Sequence, residues 1–339
     1  MRVLVTGATG FIGVRLVRAL VERGDEVACL KRAAKDGSEL ERLGAEIATG
    51  DLGDEVSLRA AIGETFGGRR AERVYHLAGL THATNLDDFL RVNADGTERL
   101  VRAAAGATNP PTVVLTSSLA AAGPSPPGEP HTEATPAEPI SNYGRSKLAA
   151  ENVARAFADR LPISILRPPV VFGPGDRDGL LLFQSLRRFP LHVVPQMKGL
   201  PLSLVYVDDL VEALIAVAER GERLAADGTD STGLYYAADP EASSYAQMGR
   251  MAAAAMDKKV WVLCRRKYPF LIPALAGDLI GRIRGKAPLF GMDKLREASA
   301  SGWVCDPAKI MAGLGWNATK AAAERYAETH RWYVENGWL

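Results

Sequence analysis

The segment TGATGFIG, Thr6 to Gly13, most constrains this chain. It follows the β-branched run Arg2–Val5 without a linker and opens Phe11–Arg23, where Ile12, Leu16, Val17, Leu20 and Val21 recur at helical spacing. A strand that turns through three glycines into a helix has a specific use. Gly7, Gly10 and Gly13 permit a tight turn, close approach of the backbone to a pyrophosphate, and close helix–strand contact. The helix start adds free N–H groups and the positive end of the helix dipole. Thr9, Phe11 and Ile12 lie in the same turn, so Gly7, Thr9, Gly10, Phe11, Ile12 and Gly13 are expected to contact a dinucleotide.

The rest of the first half continues the alternation of a parallel sheet with crossover helices. Strands are expected at Glu26–Leu30, Val74–Leu77, Val113–Thr116 and Ile163–Leu166, a long helical region over Asp87–Ala105, and another helix over Ser141–Arg160. Pro124 to Pro139 is proline-rich and reads as an irregular surface loop. Beyond Gly173 the rhythm becomes less regular. Strand at Ser203–Val207 and helix at Leu210–Arg220 suggest that residues 203–240 revisit the sheet. Lys258–Leu339, which holds all five tryptophans, reads as a mainly helical cap. The expected fold class is therefore α/β: a Rossmann-type doubly wound parallel sheet over 1–172, with a smaller, mainly helical substrate-binding lobe over 173–339.

Charge and cysteine content exclude several function classes. The 339 residues carry 41 Lys+Arg against 40 Asp+Glu, so the whole chain presents no field that would draw it to nucleic acid or to an anionic membrane surface, which leaves only a local basic patch open. Cys29, Cys264 and Cys305 are too dispersed for a zinc knuckle or a disulfide framework, and no metal is expected. The N-terminus lacks the apolar core of a signal peptide. The apolar stretch Tyr268–Ile283 is interrupted by Pro269, Pro273 and Asp278, so no integral membrane span is expected. The chain reads as soluble and cytoplasmic.

The end of the second strand bears on the choice between the two nicotinamide dinucleotides. An acidic residue there bonds the adenosine ribose, whereas a basic one accepts a 2′-phosphate. This chain has Lys31-Arg32 and no carboxylate, which predicts NADP over NAD, with Arg32 the leading contact. Asp51 and Leu52, in the GDL of Gly50–Leu52, are placed to meet the adenine.

SNYGRSK sets Tyr143 and Lys147 four residues apart, on one face of a helix. A phenol with a pKa near 10 is a poor acid or base at neutral pH unless its anion is stabilised. A lysine one turn away is expected to lower that pKa, so that Tyr143 exchanges a proton with a hydroxyl or carbonyl. Ser118, at the end of the Val113–Thr116 strand, can bond the same substrate oxygen.

These motifs, with YHLAG (Tyr75–Gly79), RVNADGT (Arg91–Thr97), TSSLAAAG (Thr116–Gly123), LRPPVVFGPGD (Leu166–Asp176) and VYVDDL (Val205–Leu210), resemble an extended short-chain dehydrogenase/reductase of the NAD-dependent epimerase/dehydratase superfamily. The resemblance covers Met1 to about Asp209. It implies Ser118, Tyr143 and Lys147 as catalytic and Asn93 as the residue that holds the lysine through a water. It places Leu77, Ala78 and Gly79 beside the cofactor ribose, Lys147 on the nicotinamide ribose, and Pro168 and Val170 beside the nicotinamide. It also implies a homodimer, pairing through the helices around Asp87–Ala105 and Tyr143–Arg160.

Two departures narrow the reaction. Sugar 4,6-dehydratases carry an Asp-Glu pair after the position of Ser118, where this chain has Leu119 and Ala120. Sugar-nucleotide members commonly have an asparagine in the segment matching Arg167–Gly173, which here lacks any amide. TSSLAAAGP and LRPPVVFGPGDRD are more similar to the 3β-hydroxysteroid dehydrogenase and dihydroflavonol reductase branch. That likeness implies hydride transfer between nicotinamide and a secondary alcohol or ketone on a largely apolar small molecule. A nucleotide-sugar C4 epimerase with retained NAD is the alternative enzyme, and a dinucleotide-binding sensor without turnover the alternative class. Val260–Ile283 is expected to be cap core, to line an apolar pocket, or to rest on a membrane face. Trp303, Trp316, Trp332 and Trp338 are expected to pack the cap, and Arg177, Arg187, Arg188, Arg282 and Arg284 to meet a diphosphate or solvent.

Overall fold

A computed structural model describes residues 1–226, 231–284 and 290–339, with the side chain of Arg282 outside the description. Strand β1 (Arg2–Thr6) passes into α1 (Phe11–Glu22), followed by β2 (Glu26–Lys31), a short α2 (Ser38–Arg42), β3 (Glu46–Thr49) and α3 (Glu55–Gly63). Then come β4 (Arg73–His76), the helix pair α4 (Leu86–Asn93) and α5 (Asp95–Ala105), β5 (Thr112–Thr116), one-turn α6 (Leu119–Ala122), α7 (Asn142–Arg155) and β6 (Ile163–Arg167). The second half runs through β7 (Val170–Phe172), α8 (Arg177–Arg188), β8 (Leu191–Val194), β9 (Pro201–Leu202), β10 (Leu204–Tyr206), α9 (Val207–Arg220) and β11 (Leu234–Tyr236). It ends with β12 (Ser243–Ser244), α10 (Tyr245–Ala255), β13 (Trp261–Cys264), α11 (Leu271–Arg284), α12 (Met292–Ala298), α13 (Ala308–Leu314) and α14 (Ala322–Glu335).

Seven strands form one parallel sheet in the order β11-β6-β5-β4-β1-β2-β3. The chain builds outward from β1 to β3 and then restarts with β4 on the opposite side of β1. The loops after β1 and β4 therefore diverge and leave a crevice at the carboxyl ends of the strands, the usual ligand position in such sheets. Buried aliphatic side chains cover both faces: Leu16, Val17, Leu20, Leu210 and Leu214 on one, and Leu58, Ile62, Leu100 and Val101 on the other. Strands buried along their whole length, such as Ile163–Arg167, follow from this two-sided cover.

The structure departs from the sequence expectations at several places. The helical region expected over Asp87–Ala105 is two helices meeting at Ala94, because Thr97 Oγ1 donates to the carbonyl of Asn93 (2.6 Å) and disturbs the ladder there. Helix α7 stops at Arg155, five residues before the expected end. Leu204–Tyr206 is strand, but α9 already begins at Val207. The proline-rich loop is not wholly superficial. Ser125 and His131 are buried, and their N–H groups donate to the carbonyls of Gly302 and Val304, pinning the loop to a late segment of the chain. Trp316 does not pack in the cap: its indole donates to the Asp209 carbonyl (2.8 Å) and it belongs to the core cluster that includes α1 and α9, because α13 returns to the main sheet.

The lobe beside the crevice is built from α8, α10, α14 and short paired strands. Its core is aromatic: Tyr326 stacks on Phe172 (4.7 Å between centroids) and Tyr333 stacks on Trp338 (5.8 Å). Trp332 and Trp338 pack in this core, as does Trp303.

Candidate active site

The glycine turn has the geometry its sequence requires. Gly7 adopts φ +72°, and a Cβ there would lie 2.6 Å from the backbone N of Ala78. A Cβ on Gly13 would lie 2.2 Å from the Gly7 carbonyl, so α1 rests directly on the turn. Gly10 differs, since its Cβ would meet only the Gly7 carbonyl, at 3.2 Å. Its open side faces the crevice. No side chain caps α1 and no acidic residue occupies its first turn, which leaves the helix N–H groups available to a phosphate. These features fit a dinucleotide, held by the Thr6–Gly13 backbone.

A chain of hydrogen bonds holds the loop after β4 against this turn. Ala78 N donates to Thr6 Oγ1 (3.2 Å), so the Thr6 proton goes to His76 Nδ1 (2.7 Å). His76 Nε2–H then donates to Thr97 Oγ1 (2.9 Å), whose proton goes to the Asn93 carbonyl. Burial, aided by the nearby Lys147 charge, pushes His76 down to about 3, so the ring stays neutral.

Tyr143 and Lys147 lie on the first turns of α7, whose Ser141 cap accepts from Gly144 N (3.0 Å). A Cβ on Gly144 would be 2.2 Å from the Ala120 carbonyl. That glycine lets α7 approach the α6 turn and brings Tyr143 within hydrogen-bonding reach of Ser118. The Ser118 hydroxyl also accepts from Ala120 N (3.1 Å), and Phe89 packs obliquely on the Tyr143 ring (6.0 Å). The expected lowering of the phenol pKa is not found in this site. Burial pushes Tyr143 up to about 12, with the Ser118 bond pulling the other way. Lys147 donates to the Thr116 carbonyl (2.8 Å), and burial brings its ammonium down to about 8, opposed by Glu151. The reason is solvation: a charge on either group is expensive where water is excluded.

Behind them sits a buried ion pair. Arg167 donates from Nε and Nη2 to Glu151 (2.8 and 2.6 Å) and from Nη1 to Tyr236 (2.9 Å), while Ser117 donates to the same carboxylate. Glu151 and Arg167 are essentially inaccessible. The pair ties α7 to β6, one turn below Lys147.

A cavity of about 1340 Å³ joins these parts. Gly7, Thr9, Gly10, Phe11, Ile12, Gly13, Leu77, Gly79, Ser118, Tyr143, Lys147, Pro168 and Val170 all line it. The other sequence candidates stand back from its wall. Ala78 supports Gly7, and Leu52 packs against Gly96. Asp51 turns its carboxylate to the N–H of Gly53 (2.7 Å). Lys31 folds back onto the carbonyl of Lys35, while Arg32 is exposed just past β2. The Asn93 amide bridges Leu80 and Ser146.

Sequence reasoning missed other residues of the wall. Arg15, Arg18 and Glu39 line the cavity, as do Thr116 and the α14 residues Tyr326, Thr329, Trp332 and Tyr333. The α14 residues showed no signal beyond an aromatic-rich helix. Among the arginines considered for a diphosphate, Arg177 lines the cavity and lies over the Trp338 ring (5.4 Å), whereas Arg187, Arg188 and Arg284 are exposed. The side chain of Arg282 lies outside the described residues.

Comparison with known proteins agrees with this geometry. Residues 3–229 match the model of the NAD dependent epimerase/dehydratase family. The chain is 33% identical to the ceramide reductase of Caulobacter vibrioides, across 99% of this chain and 96% of that protein. It is 38% identical to the sterol demethylase protein B of Methylococcus capsulatus over about half of each, 52% of this chain and 53% of that one. Among solved structures, the UDP-glucose 4-epimerase of Thermus thermophilus in complex with NAD superposes with a TM-score of 0.76 at 25% identity, covering 98% of this chain and 99% of that one. The glycine cradle, the fold and these similarities together show that the chain belongs to the NAD-dependent epimerase/dehydratase family and is an NAD(P)-dependent oxidoreductase of that family.

Proposed function

We propose that the protein is a dehydrogenase/reductase that interconverts a secondary alcohol and a ketone on a largely apolar substrate, with NADP preferred over NAD. The carrying observation is the continuity of the cavity. It runs from Ser118 and Tyr143 into a wall built from Leu181, Leu182, Phe183, Tyr326, Trp332 and Trp338. A wall of this kind favours hydrocarbon over a sugar. The absence of the Asp-Glu pair has a structural counterpart, because Leu119 is buried and packed with Ala122 and Tyr236, so neither position 119 nor position 120 offers a carboxyl group for the elimination of water. The names of the ceramide reductase and the sterol demethylase protein B, which point to lipids, support the same reading. Residues 1–172 would hold the cofactor, and most of 173–339 the substrate.

In this mechanism the substrate oxygen sits between Ser118 and Tyr143. A dinucleotide held by the Thr6–Gly13 turn and Lys147 would supply or accept the hydride at the carbon that bears this oxygen. Tyr143 donates its proton to the oxygen during reduction and recovers it during oxidation. Its raised pKa suits the acid role, since the phenol stays protonated across the neutral range. Lys147 holds the ribose side of the cofactor, while Ser118 fixes the oxygen. NADP preference rests on exposed Arg32, which is free to meet a 2′-phosphate at the end of β2. A cytoplasmic homodimer, pairing through α4, α5 and α7, completes the proposal on the strength of the family resemblance.

The deciding experiment follows nicotinamide absorbance with keto-lipids, ketosteroids, small aliphatic ketones and UDP-sugars. Turnover with the apolar ketones is expected. Interconversion of UDP-sugars on tightly retained NAD, without net cofactor reduction, would replace this reading with the C4 epimerase that the Thermus likeness favours. Cofactor binding without turnover on any class would point to the sensor.

A further inference from the structure

Helix α11 is packed inside out. A helix on a water-soluble surface normally buries its bulky apolar side chains. Here, apart from half-buried Leu271 at its start, the residues turned inward are small or polar: Ala274 and Gly281 are buried, and Asp278 accepts from the N–H of Met292 (3.1 Å). The bulky residues face out. Ile272 is 79% exposed, Leu275 57%, Leu279 60% and Ile283 76%. Their spacing of three, seven and eleven residues from Ile272 places them on one stripe, and Ile280 widens it.

Charge tells what covers the stripe. The whole chain has a net charge of +1, yet residues 258–284 contain seven basic residues and one acidic residue. Arg265, Arg266 and Lys267 precede the helix and Arg284 ends it; all four are exposed, and among the described residues none has an ion-pair partner. Trp261, also exposed, lies just before the basic triplet. An apolar stripe flanked by cations and an exposed tryptophan fits the headgroup–acyl boundary of an anionic bilayer. A second copy fits less well, since a two-fold contact through this face would set equal basic flanks against each other. The helix has 14 residues, about 21 Å, and no described helix is long and apolar enough to cross a membrane, so the contact is with one surface.

We propose that α11 docks this protein on the surface of an anionic phospholipid bilayer. The opposite side of the same helix leads to the chemistry: Asp278 and Gly281 line a second cavity, of about 270 Å³, whose wall includes Tyr143. Docking would hold that cavity over the lipid and shorten the path of an apolar substrate. This last step rests on the proposed reductase activity; the docking itself does not.

The test is flotation of the full chain with phosphatidylglycerol–phosphatidylcholine vesicles and with pure phosphatidylcholine vesicles, without substrate. Binding to the anionic vesicles is expected, weakened by high salt. Leu275→Glu/Leu279→Glu should lower partitioning at least about tenfold and leave turnover of a small soluble ketone unchanged. Arg265→Gln/Arg266→Gln/Lys267→Gln should remove the preference for anionic lipid, and keeps the proposal testable if the first variant misfolds. Absence of vesicle binding overturns the proposal, as does binding that neither variant alters. So does a dimer that Leu275→Glu/Leu279→Glu converts to monomer, because the stripe would then be a subunit contact. Vesicle binding without turnover on any ketone would leave the docking standing and remove the reductase reading alone.

Discussion

Asn93 Nδ2 donates to Ser146 Oγ at 2.9 Å, and Ser146 passes the connection on by donating to the carbonyl of Tyr143 (2.7 Å). The same amide accepts from Leu80 N (2.7 Å) and donates to the Leu80 carbonyl (3.0 Å). One buried side chain thus fixes the first turn of α7 relative to the loop after β4. These are the two segments that carry Tyr143 and Gly79.

Asn93→Ala should therefore act as a loss of positioning. The part-buried N–H and carbonyl of Leu80 and the buried Ser146 hydroxyl each lose a bond, about 1–3 kcal/mol in all because water can reach the Leu80 groups. Urea unfolding should show a loss in that range for the whole network, and kcat should fall more than the KM for cofactor rises. Wild-type stability in Asn93→Ala would show that the network is dispensable.

The pH profile follows from Lys147. Its ammonium is brought down to about 8 by burial, so it is charged below that pH and neutral above it. If the charge holds the cofactor, kcat/KM for the cofactor in reduction should decline above about pH 8, by roughly tenfold per unit. Lys147→Arg, which cannot lose its proton in this range, should flatten that limb in whatever activity it retains. An unchanged alkaline limb in Lys147→Arg would assign it elsewhere. Tyr143→Phe should lower kcat about 10²- to 10⁴-fold at all pH values while sparing dinucleotide affinity.

Gly10 and Gly13 should fail differently. Gly13→Ala forces a Cβ to 2.2 Å from the Gly7 carbonyl and 2.7 Å from Ala8 Cα, so the fold itself should lose stability. Gly10→Ala meets only one carbonyl at 3.2 Å and adds a methyl at a residue that lines the crevice. Its Tm should stay within roughly 3 °C of wild type, while dinucleotide affinity falls at least about tenfold. Equal affinity in Gly10→Ala, read by calorimetric titration, would move the pyrophosphate off this turn.

Arg32→Ala checks cofactor choice. Losing a charge-assisted contact to a 2′-phosphate should cost about 1.5–3 kcal/mol, a roughly tenfold to 150-fold rise in the Kd for NADP with the Kd for NAD unchanged. Comparable turnover with both cofactors, unaltered in Arg32→Ala, would refute the preference.

The local features of the site were legible in the sequence because they are set by short-range geometry. Four-residue spacing puts Tyr143 and Lys147 on one helix face, and glycines at 7, 10 and 13 serve one turn wherever it lies. Electrostatics were not legible from spacing alone. The tyrosine–lysine pair suggested a lowered phenol pKa, but burial raises it. The direct partners of Asn93, Leu80 and Ser146, were equally out of reach of spacing, since they come from two other segments of the chain.

By itself the sequence determined the strand–turn–helix start, the α/β alternation and the order of Ser118, Tyr143 and Lys147, because hydrophobic period, glycine tolerance and helix spacing all act over a few residues. Only the tertiary structure decided that Trp316 returns to the main core, that α14 walls the cavity, and that α11 turns its aliphatic stripe outward. Periodicity reveals that a helix has two faces. Which of them is covered depends on what folds against it from elsewhere in the chain.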